Sequence, residues 1–225
     1  MSDFFREVDE ELRRDQLQKA WARYGNIVIG VAVLIVAATG GYRFWQWYQA
    51  RTAAAAGEAY YNAVRAEDRS ADQIIAALGP VADGSSGFKE LARLRIAGAQ
   101  SETDDPARAV AAFDAIAFDT GVDRLTRDIA RVRAAYLMVD TATVADMKAR
   151  VEALTTPDNV VRHSAREAIG LTAYRTADYA EAAKWFDAIM ADRDTPQDLR
   201  NRTELMQSLL TGRMQTGAAA GGSGQ

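Results

Sequence analysis

The sequence contains no cysteine, one histidine and only four prolines. Without cysteine there is no disulfide, no thiolate nucleophile, no iron–sulfur cluster and no lipidated cysteine anchor. One imidazole, at His163, with no thiol beside it leaves a structural zinc site without ligands. No cofactor is implied. A net charge of −4 with no basic patch gives nucleic-acid binding no electrostatic support. Gly84-Ser-Ser-Gly87 lacks the flanking strand and the lysine of a phosphate-binding loop. His163 and Ser164 are neighbours, and neighbours on a helix point about 100° apart, so they form no nucleophile–base pair. His163 reads as an exposed helix residue, and Asp104-Asp105 as a helix cap rather than an acid–base couple. An enzyme is therefore not expected.

The prolines that exist, Pro80, Pro106, Pro157 and Pro196, are widely spaced, and β-branched residues thin out after the first third. Alanine, leucine, arginine and glutamate dominate, and these lose little on entering a helix. The chain is expected to be all-α, and its 225 residues suffice for one sizeable domain plus extensions.

No charge interrupts residues 24–42, YGNIVIGVAVLIVAATGGY. As a helix this stretch is about 28 Å long, close to the hydrocarbon thickness of a bilayer. Trp21 and Tyr24 stand at one end and Tyr42, Phe44, Trp45, Trp47 and Tyr48 at the other. Such rings favour the membrane interface, and Trp21, Tyr24, Tyr42, Trp45 and Trp47 are the expected interface residues. Arg23 and Arg43 can extend outward. The span with its aromatic flanks covers 24–48. A cleaved signal peptide would begin with a short basic region and end in a small-residue cleavage site; neither is present. Arg6, Arg13, Arg14, Lys19 and Arg23 precede the span, whereas Arg43, Arg51 and Arg65 follow it. The basic excess places the N-terminus in the cytoplasm and the rest beyond the membrane.

Residues 1–23 read as a short amphipathic segment, with Phe5, Val8 and Leu12 on one face and Ser2 or Asp3 as cap. The pattern reads first as a solvated helix lying at the membrane surface, with a cytoplasmic docking helix as the alternative.

Residues 52–214 divide into helices. Val122, Leu125, Ile129, Val132, Tyr136 and Val139 step by three and four; so do Val144, Met147, Val151 and Leu154, and Tyr179, Ala182, Phe186 and Ile189. Each stripe needs a neighbour to cover it. GPVADGSSG (79–87) is the clearest predicted break, and Asp104-Asp105-Pro106, Thr156-Pro157 and Thr195-Pro196 mark others. Second helices begin near Ala71, Pro106, Val144 and Tyr179, a period of about 36 residues. DPARAVAAFDAI (105–116) overlays DYAEAAKWFDAI (178–189), matching Ala109 with Ala182 and Phe113 with Phe186. Gly170 lies where the facing helix must come close. About four hairpins and a closing helix at 196–214, with Leu199, Met206 and Leu210 inward, make a capped α-solenoid. Residues 215–225 are low-complexity and expected to be disordered.

Gly170, Tyr179, Ala182 and Phe186 resemble the landmarks of a tetratricopeptide repeat. The first copy departs from them, with Ala97 for the glycine and Pro106 for the tyrosine. The whole layout, including the exit segment YRFWQWYQARTAAAAGEAYYNAV (42–64), resembles the YfgM-type ancillary subunit family of the Sec translocon. That resemblance implies a bitopic bacterial inner-membrane protein with a periplasmic repeat domain. It implies a co-chaperone or scaffold role whose partners are translocon subunits, a membrane-anchored periplasmic chaperone and exported polypeptides. An envelope-assembly or cell-division scaffold using the same repeats is the alternative. Likeness to tetratricopeptide arrays also implies a concave face lined by first helices, which in the best copy would display Glu167, Leu171 and Tyr174. The competing reading makes these ordinary packing or solvent positions. Oligomeric state is not legible.

Overall fold

The four second helices and one first helix begin at side-chain caps. Ser70 and Gln73 form a reciprocal capping box at the start of α2 (Ala71–Ala82). Asp105 caps α4 (Pro106–Ala117), where Pro106 fills the first turn that needs no donor. Asp123 caps α5 (Arg124–Met138), Thr143 caps α6 (Val144–Val151) and Asp178 caps α8 (Tyr179–Ala191). These elements are completed by α1 (Ser2–Arg65), α3 (Lys89–Gln100), α7 (Arg162–Arg175) and α9 (Gln197–Gly222), with a 3-10 turn at Glu152–Leu154 after α6. The structure, a computed structural model, describes the backbone at 2–65, 70–103 and 105–222 and the side chains at 21–65, 70–103 and 105–215. Among the described residues every regular element is helical. The Phe5, Val8 and Leu12 face, the Ser2 or Asp3 cap, Asp104 and the last residues of the tail lie outside these limits. The backbone of α9 continues to Gly222, through positions whose composition suggested an unstructured tail.

The chain forms two units, Met1–Ala55 and Ala56–Gln225. In the first, the 24–42 stretch of α1 is apolar around its whole circumference: Ile27, Val28, Val31, Leu34 and Val36 are all exposed. It is long and apolar enough to cross a membrane. Thr39, inside the apolar stretch, donates its hydroxyl to the carbonyl of Ile35 at 2.7 Å, so the helix satisfies that polar group internally.

In the second unit, successive helix pairs are joined by four apolar clusters in chain order, each shared only between near neighbours. The end of α1 contributes Ala56, Ala59, Tyr60 and Ala63 to the first, against Ile74, Leu78 and Ala92. The last ends on α9, through Leu199, Met206 and Leu210. The first helices α5, α7 and α9 also touch directly and so line up along one side of the stack.

The overlay seen in the sequence has a packing cause. A Cβ built on Gly170 would lie 2.7 Å from Cε1 of Phe186, whose ring is fully buried between α7 and α8. Ala182, one turn before Phe186, lets the two helices approach. The earlier copy holds Ala97, Ala109 and Phe113 in the same roles, all buried. The same spacing also superposes an ion pair that the periodicity did not reveal. Arg93 donates to the Ala115 carbonyl at 3.1 Å and to Asp119 at 2.8 Å. Arg166 donates to the Ala188 carbonyl at 3.1 Å and to Asp192 at 3.0 Å. In each copy an arginine on the first helix thus ties down the C-terminal end of the second, where carbonyls lack partners within the helix. Between hairpins, Arg175 donates to the carbonyls of Val139 (2.7 Å) and Ala142, and Arg150 pairs with Asp114.

Three expectations need correction. The break predicted at 79–87 starts later, because α2 continues through Gly79 and Pro80 to Ala82. Burial of Leu78 and Val81 holds this last turn, and the Asp83 N–H still reaches the Gly79 carbonyl at 3.0 Å; Pro80 removes only its own donor. His163 is buried rather than exposed. The stripe in α5 is also not simply covered. Its closely packed face is Ala130, Ala134 and Ala135 beside Val132, whereas Leu125 is exposed and Ile129 and Tyr136 are half-buried. Ala130 and Ala134, four apart, allow near-contact of helix backbones, and this close packing outweighs the larger side chains.

The Gly170–Phe186 contact sets a stability expectation for the full-length protein in detergent. Gly170→Ala should lower stability by about 1–3 kcal/mol, the usual cost of overpacking a filled core. Gly98→Ala, whose added methyl meets only Arg95 Nη1 at 3.9 Å, should leave the chemical-denaturation midpoint within experimental error.

Candidate functional site

The half-buried stripe of α5 faces an open groove. Its larger part, of about 660 Å³, is lined by Gly98 of α3 and Ser101 just beyond its end, Phe113 of α4, and Ile129, Val132, Arg133, Tyr136 and Leu137 of α5. Val161, Ser164 and Arg202 close one end. A second part, of about 270 Å³, continues past Tyr60 of α1 and Leu91, Leu94 and Arg95 of α3. The two share Gly98, Phe113, Ile129 and Arg133. The main part lies within the range of about 300–1,000 Å³ typical of ligand pockets.

First helices supply most of this lining, in register. Leu94 and Gly98 on α3, with Ser101 just beyond its end, correspond to Ile129, Arg133 and Tyr136 on α5, one repeat later. The third set in this register is Glu167, Leu171 and Tyr174 on α7. There α9 covers the face. Leu171 and Tyr174 pack in the last cluster beside Met206 and Leu210, and Tyr174 meets the ring of Tyr179 at 5.8 Å. Glu167 is only 5% exposed. Its carboxylate accepts from the Tyr136 hydroxyl at 2.5 Å and from Arg202 Nε and Nη2 at 3.0 Å each. Burial and the neighbouring Glu167 carboxylate push the Tyr136 phenol well above its ordinary pKa, and the same carboxylate raises that of Arg202. Both donors therefore keep their protons. This bidentate arginine pair with a third donor is a strong type of contact, and it locks the end wall of the groove.

Two further polar side chains of the groove are also engaged. Ser101 donates to the Gly98 carbonyl at 2.6 Å, and Arg95 approaches Glu102 at 3.6 Å. Arg133 is exposed and has neither a hydrogen bond nor an ion pair with any described residue. The arrangement offers rings and aliphatic side chains around one unengaged guanidinium. It holds no nucleophile–base pair, and no group of three metal-ligating side chains occurs among the described residues.

The aromatics expected at a membrane interface, Trp21, Tyr24, Tyr42, Trp45 and Trp47, are each more than half exposed around α1, with Arg51 over the Trp47 ring at 5.4 Å. None of them contributes to the groove. The spacing of the best-matching copy pointed to Glu167, Leu171 and Tyr174, a face that α9 covers, and not to the α3 and α5 residues that line the open groove. The available signal was the large-residue stripe of α5, which lies opposite the alanines that pack.

Fold and groove together define a helical-repeat scaffold that presents an elongated surface. The model of the tetratricopeptide repeat-like domain family matches residues 18–206, and the chain belongs to that family. No curated protein and no solved structure matches it. Membership makes the domain a protein-interaction scaffold.

Behind the groove, α7 buries a charged cluster. Asp192 accepts from Arg162 at 2.7 Å and from Arg166 at 3.0 Å. His163 Nδ1 lies 3.2 Å from the Thr195 hydroxyl and 3.7 Å from Asp192, and its Nε2 is buried without a partner. Burial, with the nearby Arg162, lowers the His163 pKa below its ordinary 6.5. The Arg162 hydrogen bond holds Asp192 far below the usual carboxylate range. A lowered histidine pKa means that the unfolded chain takes up the proton first as pH falls. The histidine contribution is complete above pH 6.5 and declines below it; the Asp192 contribution is lost only below its ordinary 3.8. Between pH 7.5 and 5 the urea midpoint should therefore fall, and His163→Gln should flatten that fall; an unchanged slope would refute the assignment.

Proposed function

We propose that this protein is a single-pass inner-membrane scaffold or co-chaperone of the Sec translocon. Its α1 span is anchored by aromatic residues, its N-terminus lies in the cytoplasm and its repeat domain lies in the periplasm. There the groove holds segments of exported polypeptides or of a membrane-anchored chaperone. The observation that carries this reading is one chain combining a membrane-length apolar helix with an open, apolar, first-helix groove. A polypeptide emerging unfolded exposes apolar segments, and a tethered groove meets them at high effective concentration. The aromatic exit segment and the excess of basic residues before the span support the orientation and the family likeness supports the partner. Glu167 has a supporting task in this reading: it holds Arg202 and Tyr136 as the end wall.

The absence of native cysteine permits a direct topology test. An impermeant maleimide added to cells with a permeabilised outer membrane should label Ser85→Cys and spare Ser2→Cys. The opposite pattern would invert the assignment. Photo-crosslinkers at Trp47 and Tyr61, both exposed, should capture translocon subunits in membranes. Capture of other envelope proteins without them would move the reading to an assembly or division scaffold.

A further inference from the structure

The groove has a chemical preference that its family does not dictate. Its walls are apolar: Tyr60, Leu91, Leu94, Phe113, Ile129 and Val132 supply rings and aliphatic side chains. The polar groups around them are already used. The Tyr136 hydroxyl and Arg202 are given to Glu167, Arg95 faces Glu102, and the Ser101 hydroxyl is bonded to the Gly98 carbonyl of α3. No acidic residue lines either part. Of the charged side chains that line the groove, only Arg133 has no partner among the described residues, and it stands where the two parts join.

An occupant that covers this surface takes the Arg133 guanidinium out of water. A neutral or cationic occupant would leave that charge uncompensated, which is unfavourable. An occupant with a carboxylate at that point gains a charge-assisted hydrogen bond instead. Because apolar lining extends to both sides of Arg133, apolar groups must flank the carboxylate on both sides. The protein is itself acidic, with a net charge of −4, so a highly charged polyanion would be repelled overall. One isolated carboxylate in an apolar chain meets both conditions.

We propose that the groove takes a polypeptide segment in which a single acidic residue, set against Arg133, is flanked on each side by bulky apolar side chains. This rests on reading the domain as a protein-binding scaffold and adds the sequence class that it selects.

The test uses the full-length protein in lipid nanodiscs and fluorescence anisotropy of a labelled peptide, GSLFSESFLSG. Two counterparts carry glutamine or lysine in place of the glutamate. The glutamate peptide should bind on the order of tenfold more tightly than the glutamine peptide, as expected for one charge-assisted bond, with the lysine peptide weakest. Arg133→Gln, at an exposed position, should erase the difference between glutamate and glutamine. Gly98→Leu, which fills the shared centre, should remove binding of all three. Equal affinity of the glutamate and glutamine peptides, a preference that survives Arg133→Gln, or no binding of any peptide would overturn the proposal. So would a concentration-dependent dimer that Gly98→Leu dissolves, since a second copy would then be the occupant. Translocon crosslinks from Trp47 would persist through any of these failures, which separates this inference from the functional reading it rests on.

Discussion

The repeat domain depends on how closely one helix can approach the next. Gly170 leaves space that the Phe186 ring fills, and Ala182 lets α7 and α8 close on that ring. Ala97, Ala109 and Phe113 repeat the device two repeats earlier. Once these distances are set, each cluster of apolar side chains joins one hairpin to the next, and the stack extends by nearest-neighbour contacts. In two hairpins an arginine of the first helix then reaches the end of its partner, as Arg93 does at Asp119 and Arg166 at Asp192. Small residues set the spacing, aromatic rings fill it, and the ion pairs hold the ends in register.

The groove is a consequence of this arrangement. If alanines make the close contacts, larger side chains on the same helix must point elsewhere. On α5, Ala130, Ala134 and Ala135 pack against neighbours, which turns Ile129, Arg133 and Tyr136 toward the open side. On α7 the corresponding positions are Glu167, Leu171 and Tyr174, and α9 lies over them. Arg202 of α9 reaches Glu167, which in turn accepts from Tyr136. One buried carboxylate thus ends the open surface and braces its wall. Buried acidic groups of this kind are tolerated only when fully paired, and Glu167 has three donors.

Much of the fold was legible from residue spacing. Val144, Met147, Val151 and Leu154, and likewise Tyr179, Ala182, Phe186 and Ile189, lie inward as their periodicity requires. The caps at Asp105 and the turns at Pro157 and Pro196 fall at the expected breaks. Three features were not legible. Pro80 lies within α2 because the burial of Leu78 and Val81 favours one further turn. His163 is buried because α7 is enclosed by elements on several sides, which an isolated helix pattern does not reveal. The Arg93 and Arg166 pairs escaped notice because apolar periodicity ignores charged residues, although the same overlay that matches Phe113 with Phe186 also matches them.

The sequence by itself determined the helical class, the repeat register and the one membrane-length apolar stretch, because each depends on local spacing and composition. Only the tertiary structure decided which copies of the repeat remain open. That choice depends on where α9 comes to rest, and one contact that helps hold it, between Arg202 and Glu167, joins residues far apart in the chain. Local periodicity carries no information about such a pairing, and it cannot show whether a stripe of large side chains will face a neighbour or solvent.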